Sequence, residues 1–458
     1  MTRFWKKTLI QAFGVTLLLG STSLSHAETL NSALTAAYNN SNLLEQNRAL
    51  VRVEDEDVAI ALSALRPQVA LQSTISQSDQ ASNQGGGNFG STVSLGLDLL
   101  LYDAGSSALS VEAAKETVLA ARHGLVELEQ QVLLSAVNAY VSVLGNLRVV
   151  TLRETNVRLV TQELRAAEDR FEVGEVTRTD VAQAEARLAD ARAVLSSAQG
   201  DLAISVAQYR TAIGSDPVGL TSITRLPNLP NTVAAAQEVA VRMAPEIKQA
   251  QSEIKANELN ALRAEADIKP QISLNANVGH NSVIDNNSSV GLTMTVPLYQ
   301  GGQLSALRRR ALSVLHASKS NLNQQVLLTR QAVSDAWSQL AVSRALVQAR
   351  DREIRAAQIA FEGAREEAKL GARTTLDVLD TEQSLADART NRVIAETQVY
   401  AAAYGLLAAT GMLTADQLGL PVERYDPSEY YNAAKTGPIP SSQQGKKLDR
   451  ILGRYQKN

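Results

Sequence analysis

The chain carries one pattern twice, 197 residues apart. Val173-Gly174-Glu175-Val176-Thr177-Arg178-Thr179-Asp180-Val181 returns as Leu370-Gly371-Ala372-Arg373-Thr374-Thr375-Leu376-Asp377-Val378. The same offset relates Leu188-Ala189-Asp190-Ala191-Arg192 to Leu385-Ala386-Asp387-Ala388-Arg389, and Ala212-Ile213-Gly214 to Ala409-Thr410-Gly411. Self-similarity at a fixed period marks a supersecondary unit used more than once. Each unit here mixes very long helical stretches with one pair of strands, a combination that predicts a membrane-anchored tube.

The strand pairs are read from alternation. In the first repeat, Pro67 ends a helical segment over 30–65, because proline donates no hydrogen bond and disfavours helix at the residue before it. Val69, Leu71, Ser73 and Ile75 then alternate with Gln68, Ala70, Gln72 and Thr74. A polar loop holding Gly85-Gly86-Gly87 follows, then Val93, Leu95, Leu97, Leu99 and Leu101 on one face. This predicts a β-hairpin over about 67–102. In the second repeat the hairpin covers about 270–299: Pro270, then Ile272, Leu274, Ala276 and Val278, then Val290, Leu292, Met294, Val296 and Leu298. The offset falls from 203 at Pro270 to 197 at Tyr299, so the first hairpin loop is six residues longer. Length differences belong at exposed tips, which puts both loops on one solvent side. Strands of roughly ten residues suit a tilted bilayer crossing. The other face carries Ser, Thr, Asn, Gln and Gly, suited to a water-filled lumen. A soluble four-stranded sheet packed on helices is the alternative. In lipid, four strands are too few to close a barrel and open edges are not tolerated, so more than one chain must contribute.

Long breaker-free helical segments follow each hairpin, over about 106–170 and 304–369. At ~1.5 Å per residue each is roughly 100 Å long. Only 11 prolines and 4% aromatic residues occur in 458. The apolar stripe, for example Leu125, Leu128, Val132, Leu133, Ala136, Val137, Tyr140 and Val141, is too broad and rich in small residues for a two-stranded coil. Staves in a wall need such a pattern. Each long helix turns at Gly174 or Gly371 and returns as a shorter one, over 180–211 or 377–409. Stacked end to end with the opening helices (30–65 and 233–267), the short pieces match one long helix.

The predicted organisation is a signal peptide over 1–27, repeat one over 28–214, a proline-bearing linker over 215–231, repeat two over 232–411, and a polar, turn-rich peripheral tail over 412–458. Arg3, Lys6 and Lys7, the apolar stretch from Leu9 to Leu19 and Ser25-His26-Ala27 predict export with cleavage after Ala27. No later segment reads as a membrane-spanning helix. A net charge of −3 gives no sign of nucleic-acid binding. The absence of cysteine excludes thiol nucleophiles, disulfides, zinc-thiolate sites and a lipoprotein anchor. Four scattered histidines and no nucleotide or hydrolase motif leave no metal, cofactor or catalytic site to propose.

The doubled Gly-x-x-Thr turn, Pro-Gln-Val and Pro-Gln-Ile at the hairpin starts, Val-Pro-Leu-Tyr-Gln-Gly-Gly at 296–302 and Gly-Ala-Arg-Thr-Thr-Leu-Asp-Val-Leu-Asp at 371–380 together resemble the TolC family of outer-membrane export ducts. The resemblance spans about residues 28–421 and, with no cysteine, fits non-lipidated members. It implies a homotrimer with a twelve-stranded transmembrane β-barrel, four strands per chain, continuous with a long periplasmic α-helical barrel. It also implies a tip that opens when a periplasmic adaptor and an inner-membrane RND-type or ABC-type transporter dock. The function expected is passive conduction of drugs, small toxic molecules or proteins. Rival readings are a structural or adhesive coiled-coil protein, a periplasmic enzyme, and the adaptor itself.

Comparing the repeats sorts the tip residues. Thr177 and Thr374 precede Asp180 and Asp377 by three, the spacing of a capping box. Asp380 has no acidic counterpart, since Gln183 stands at the equivalent position, and Arg373 corresponds to Val176. The resemblance implies a pore constriction of Asp377 and Asp380, two stacked carboxylate rings favouring cations. It also implies a gate latch from Arg373 to Thr179 and Asp180. A tyrosine often found three residues before the second turn's glycine is Ala368 here, which predicts a looser resting tip.

Overall fold

The computed structural model describes residues 28–78, 88–281, 285–437, 439 and 441–455. The signal peptide and the Gly85-Gly86-Gly87 loop lie outside the described residues. In chain order the elements are α1 (Leu30–Asn40), α2 (Asn42–Ser63), β1 (Gln68–Ser78), β2 (Asn88–Tyr102), α3 (Ser106–Glu172) and α4 (Arg178–Ile213). They continue with α5 (Val233–Met243), α6 (Pro245–Ala266), β3 (Gln271–Asn281), β4 (Asp285–Thr295), α7 (Gln303–Lys369) and α8 (Thr375–Ala409). Two further helices, α9 (Pro427–Thr436) and α10 (Gln443–Tyr455), end the chain.

Helices α3 and α7 are 67 residues each, about 100 Å by rise per residue. Shorter helices lie alongside them in stacked pairs, and glycine makes each joint. At the end of α4, Gly214 has φ 83° and a methyl there would stand 2.9 Å from Cβ of Asn40, just before α2. The Asn40 amide donates to the carbonyl of Ile213 at 3.0 Å. At the end of α8, Gly411 has φ 75° and a methyl would stand 2.8 Å from the backbone N of Ala244, just before α6. Thus α4 meets α2 and α8 meets α6 end to end. Helix α3 is flanked by α2, α4, α6 and α8, and α7 by α5, α6 and α8.

The opening helices differ from the continuous segments expected. The first breaks at Ser41, whose hydroxyl accepts from the N–H of Leu44 and caps α2. The second breaks at Ala244, held non-helical by Pro245 at the first position of α6. These breaks set α1 against α3 and α4, and α5 against α7, beside the joints. The main core gathers there: Leu34, Tyr38, Leu133, Val137, Tyr140, Tyr209, Ile213 and Leu413. The Tyr140 hydroxyl lies 2.7 Å from the carbonyl of Thr221 and 3.0 Å from that of Glu28, tying the linker and the chain's first described residue to α3. One stretch of α3 is long and apolar enough to span a membrane, contrary to expectation. Half of that stretch is buried, and α3 supplies Leu133 to Leu144 to the core, so its apolarity is accounted for by packing.

The sheet has strand order β1-β2-β3-β4, all antiparallel. Register aligns the apolar rows: Leu71 with Leu95 and Val278, Val69 with Leu97, Ala276 and Val290, and Leu99 with Leu274 and Leu292. On the other face Gln72, Ser94, Gly279 and Asn287 form one row, and Gln68, Asp98, Asn275 and Gly291 another. The apolar face is bare: Leu71 is 72% and Val290 78% exposed. Strand β4 stops at Thr295, short of the expected 299, before Pro297, which has no N–H to give a ladder.

The segment read as a polar tail is more ordered than expected. Leu413, Ala415 and Leu420 join the main core, and the N–H of Ala415 donates to Glu129 at 2.6 Å. Helix α9 packs on α2, and α10 folds back on α9 through Tyr430, Ala433, Ala434, Leu448 and Ile451. Sparse apolar residues at helical spacing suffice because the hairpin has only one face to bury.

Two glycine variants separate steric from conformational cost. Gly174→Ala meets no neighbour within 4 Å and is strained only by its φ of 81°, so it loses roughly 1–2 kcal/mol. Gly411→Ala carries the same strain plus overlap with the Ala244 backbone. Thermal unfolding followed by circular dichroism is expected to show the larger loss for Gly411→Ala; equal losses would refute a close joint.

Candidate functional site

The site is built at the end remote from the sheet, where α3 turns into α4 and α7 into α8. Both turns use the same devices. Gly174 and Gly371 take left-handed φ of 81° and 76°. The N–H of Glu175 then reaches back to Arg170 O, and that of Ala372 to Glu367 O, each at 2.9 Å. This is the six-to-one bond of a Schellman ending, which needs a residue tolerant of positive φ. Thr177 and Thr374 cap the return helices. Each hydroxyl accepts from the N–H of the aspartate three residues on, at 3.3 and 3.2 Å. The aspartate accepts in return from the threonine N–H, at 2.8 Å for Asp180 and 3.0 Å for Asp377.

These bonds hold both carboxylates below the usual range, chiefly through the Thr177 backbone N–H for Asp180 and the Thr374 hydroxyl for Asp377. Both aspartates are therefore anionic caps near neutrality. Leu370, just before the second turn, is 85% exposed, and Val173 is its exposed equivalent.

Asp380 lies one turn deeper and is not alone. Its carboxylate pairs with the guanidinium of Arg187 on α4, joining the return helices of the two repeats. Beneath the pair, Leu379 is buried among Val160, Ala167, Ala184, Leu188 and Ala191 of α3 and α4. Arg187 was not singled out from the sequence. The signal was available, since Ser384 stands at its position in repeat two.

Arg373 does not sit where the resemblance implied. Within this chain its Nε donates to Glu367 Oε2 at 2.8 Å, across the Gly371 turn. The Asp180 carboxylate is occupied by Thr177, and Thr179 is exposed beside it. The nearer acid wins because the turn folds Arg373 back on the last turn of α7. Within the chain, Arg187 to Asp380 ties the two return helices together.

A second acidic residue, also missed, lies behind the tip. Glu382 on α8 is 3% exposed and faces Asn156 of α3, whose amide donates to Oε1 at 3.4 Å. Burial, then the nearby Glu163, pushes its carboxyl up to about 7. It lines a cavity of about 200 Å³ with Asn156, Leu159, Phe361 and Arg389, where α3, α7 and α8 meet. Flanking pairs clamp α8 to α3, Arg153 to Asp387 at 2.9 Å and Arg148 to Glu396 at 3.3 Å.

A raised carboxyl pKa means the folded chain prefers Glu382 neutral. Its stabilisation is complete below about pH 4.5 and is lost as pH rises through about 7. At ~1.4 kcal/mol per unit the loss is at most about 3.5 kcal/mol. Glu382→Gln is expected to match the parent in melting temperature at pH 5 and exceed it at pH 8. Parallel pH profiles for the two proteins would refute a neutral buried acid.

Comparison with known proteins adds three observations. A family model described as "Outer membrane efflux protein" matches residues 33–215 and 238–412. The chain is similar to the outer membrane efflux protein BepC of Brucella suis biovar 1, 39% identical over 92% of this chain and 93% of that protein. It is also similar to the outer membrane protein TolC of Escherichia coli, 25% identical over 87% and 86%. Among solved structures, one of CusC, described in connection with transmembrane channel formation, superposes with a TM-score of 0.76. That match is 19% identical and covers 83% of this chain and 92% of the other.

Proposed function

We propose, since this chain belongs to the TolC-like family of outer membrane efflux proteins, that three copies close one twelve-stranded barrel and form a gated exit duct. The family comprises channel proteins rather than enzymes, and the chain is an outer-membrane exit duct for efflux or secretion. The observation that carries the trimeric reading is the sheet. All four strands present one apolar face, and the outer strands β1 and β4 leave their edges unpaired within the chain. Exposed edges are untenable in lipid, and β4 of one copy against β1 of the next removes them. The polar face, with Gln72, Ser94, Asn275 and Asn287, then lines the lumen. Helix α7 supports the same assembly, because Leu327, Val342 and Ile359 are exposed along it and need a neighbouring stave.

The tip is the gate in this reading. Asp377 and Asp380 from three copies form two acidic rings around the axis. Arg187 holds each Asp380 against α4 in the closed form. The latch of Arg373 on Thr179 and Asp180 then belongs to contacts between copies, with Arg373 leaving Glu367 as the ring closes. A periplasmic adaptor and an RND-type or ABC-type inner-membrane transporter supply the energy and the cargo, which includes drugs, small toxic molecules or proteins.

Single-channel conductance of the purified mature protein in a planar bilayer tests this reading. A small, cation-preferring conductance is expected, with the preference weakened in the Asp377→Ala/Asp380→Ala variant. Arg187→Ser is expected to raise conductance several-fold by releasing α4 from α8. Channels indifferent to all three substitutions would return these residues to capping and solvation, and correctly assembled oligomers without channels would overturn the duct.

A further inference from the structure

The α9–α10 hairpin is not used by the duct or its gate, and its position is defined. The Tyr430 hydroxyl donates to Glu56 of α2 at 2.7 Å, and Arg66 donates to the carbonyl of Lys435 at 3.0 Å. Arg66 lies two residues before β1 begins. The end of α9 therefore sits at the foot of the sheet. Helix α10 starts at the same end, because a methyl on Gly437 would lie 2.7 Å from Leu448 and 3.6 Å from the N of Gly445. Its first turn is capped by Ser442, whose hydroxyl accepts from Gly445 at 2.9 Å.

The exposed charges of this hairpin are mostly basic. Among its described residues Lys435, Lys446, Lys447 and Arg450 are solvent-exposed, against the exposed acids Glu429, in the first turn of α9, and Asp449. The apolar side of α10, Leu448 and Ile451, is spent on α9, which leaves the cationic side outward. The amino end of α10 adds its partial positive charge in the same place. Between the two helices Ile439 is 55% exposed, an apolar group at the hairpin's leading end. A basic cluster around an exposed apolar tip is the composition of an interfacial membrane contact, and each near-surface Lys or Arg strengthens association with anionic lipid by about fivefold.

We propose that the α9–α10 hairpin is a lipid foot: Lys435, Lys446, Lys447 and Arg450 bind anionic phospholipid headgroups of the leaflet facing the periplasm, with Ile439 entering the interface. The occupant is argued from charge complementarity and from the distance, two residues, between Arg66 and the first membrane strand. The proposal rests on the reading that β1 to β4 span the membrane. It fixes the height and rotation of the duct against the bilayer from outside the barrel.

The chain has no cysteine, so single labels are clean. Ser441→Cys at the hairpin end and Leu292→Cys on the sheet each receive a bimane label in the full mature chain, reconstituted in vesicles. The vesicles contain brominated phosphatidylglycerol or brominated phosphatidylcholine. The sheet label is expected to be quenched by both lipids. The hairpin label is expected to be quenched at least about twofold more by phosphatidylglycerol, and the preference should vanish in 0.5 M salt and in Lys446→Gln/Lys447→Gln/Arg450→Gln. Ile439→Ser should weaken quenching while keeping the preference. A quenched sheet label beside an unquenched or lipid-indifferent hairpin label overturns the foot alone, whether that end then binds peptidoglycan or nothing. An unquenched sheet label overturns the barrel reading on which it rests.

Discussion

The structure depends on two helix-end joints. A helix of about 100 Å gains little from local propensity and must be covered along its length, yet apart from α3 and α7 themselves the longest described helix, α4, has 36 residues. Stacking α4 on α2 and α8 on α6 solves this, provided two chain ends pass within van der Waals distance. Gly214 and Gly411 permit the approach by lacking a side chain and by accepting positive φ. The largest buried side chains surround these joints, Tyr140 and Tyr209 with ring centroids 6.5 Å apart among them. The joints divide the molecule functionally as well. On one side the staves lead into the sheet, and on the other they run as two hairpins, joined by Arg153–Asp387, Arg148–Glu396 and Arg187–Asp380, to the tip.

The sheet imposes the complementary constraint. Its side-chain period is two, so a slip of one residue between any pair of strands would carry Leu71, Leu95, Val278 and Leu292 to the polar side. The observed register prevents this across all four strands, including the β2–β3 pairing of the two halves of the chain. The irregularity between Leu100 and Tyr102 falls where the strand leaves the regular ladder and the chain prepares to enter α3. Asp103 takes the N–H groups of Gly105 and Ser107 there, which closes the turn into the helix. The outer edges of β1 and β4 are unpaired within the single chain, which is the feature the proposed trimer would close.

What the sequence revealed and what it hid divide by range. The hairpins, the long helices and the capped turns are local patterns, and Thr177–Asp180 and Thr374–Asp377 bond as their spacing dictates. Side-chain pairs between distant segments leave no such trace. Arg187 and Asp380 are 193 residues apart, and Asn156 and Glu382 are 226 apart. The breaks at Ser41 and Ala244 are legible as a capping serine and a proline at the start of the next helix. The tail was misjudged because a two-helix hairpin on a ready-made surface needs few apolar residues. Within one chain, six residues and one turn bring Glu367 to Arg373, a contact the family resemblance does not indicate.

The tip separates its roles by copy number. Whatever the fold needs at both turns occurs twice: the glycine, the threonine and the capping aspartate. Asp377 belongs to that set, so its charge is already engaged with Thr374 before any pore forms around it. Asp380, Arg187 and Arg373 occur once, with Gln183, Ser384 and Val176 at the equivalent positions of the other hairpin. A half-exposed pair such as Arg187 to Asp380 is worth at most about 1 kcal/mol, so in the proposed trimer three of them would hold the closed ring by at most about 3 kcal/mol, small enough for a docking partner to overcome. In the proposed duct, separating α4 from α8 would leave Asp380 without its cation, so a movement that widened the passage would make its wall more acidic, and one ion pair would couple gating to cation preference.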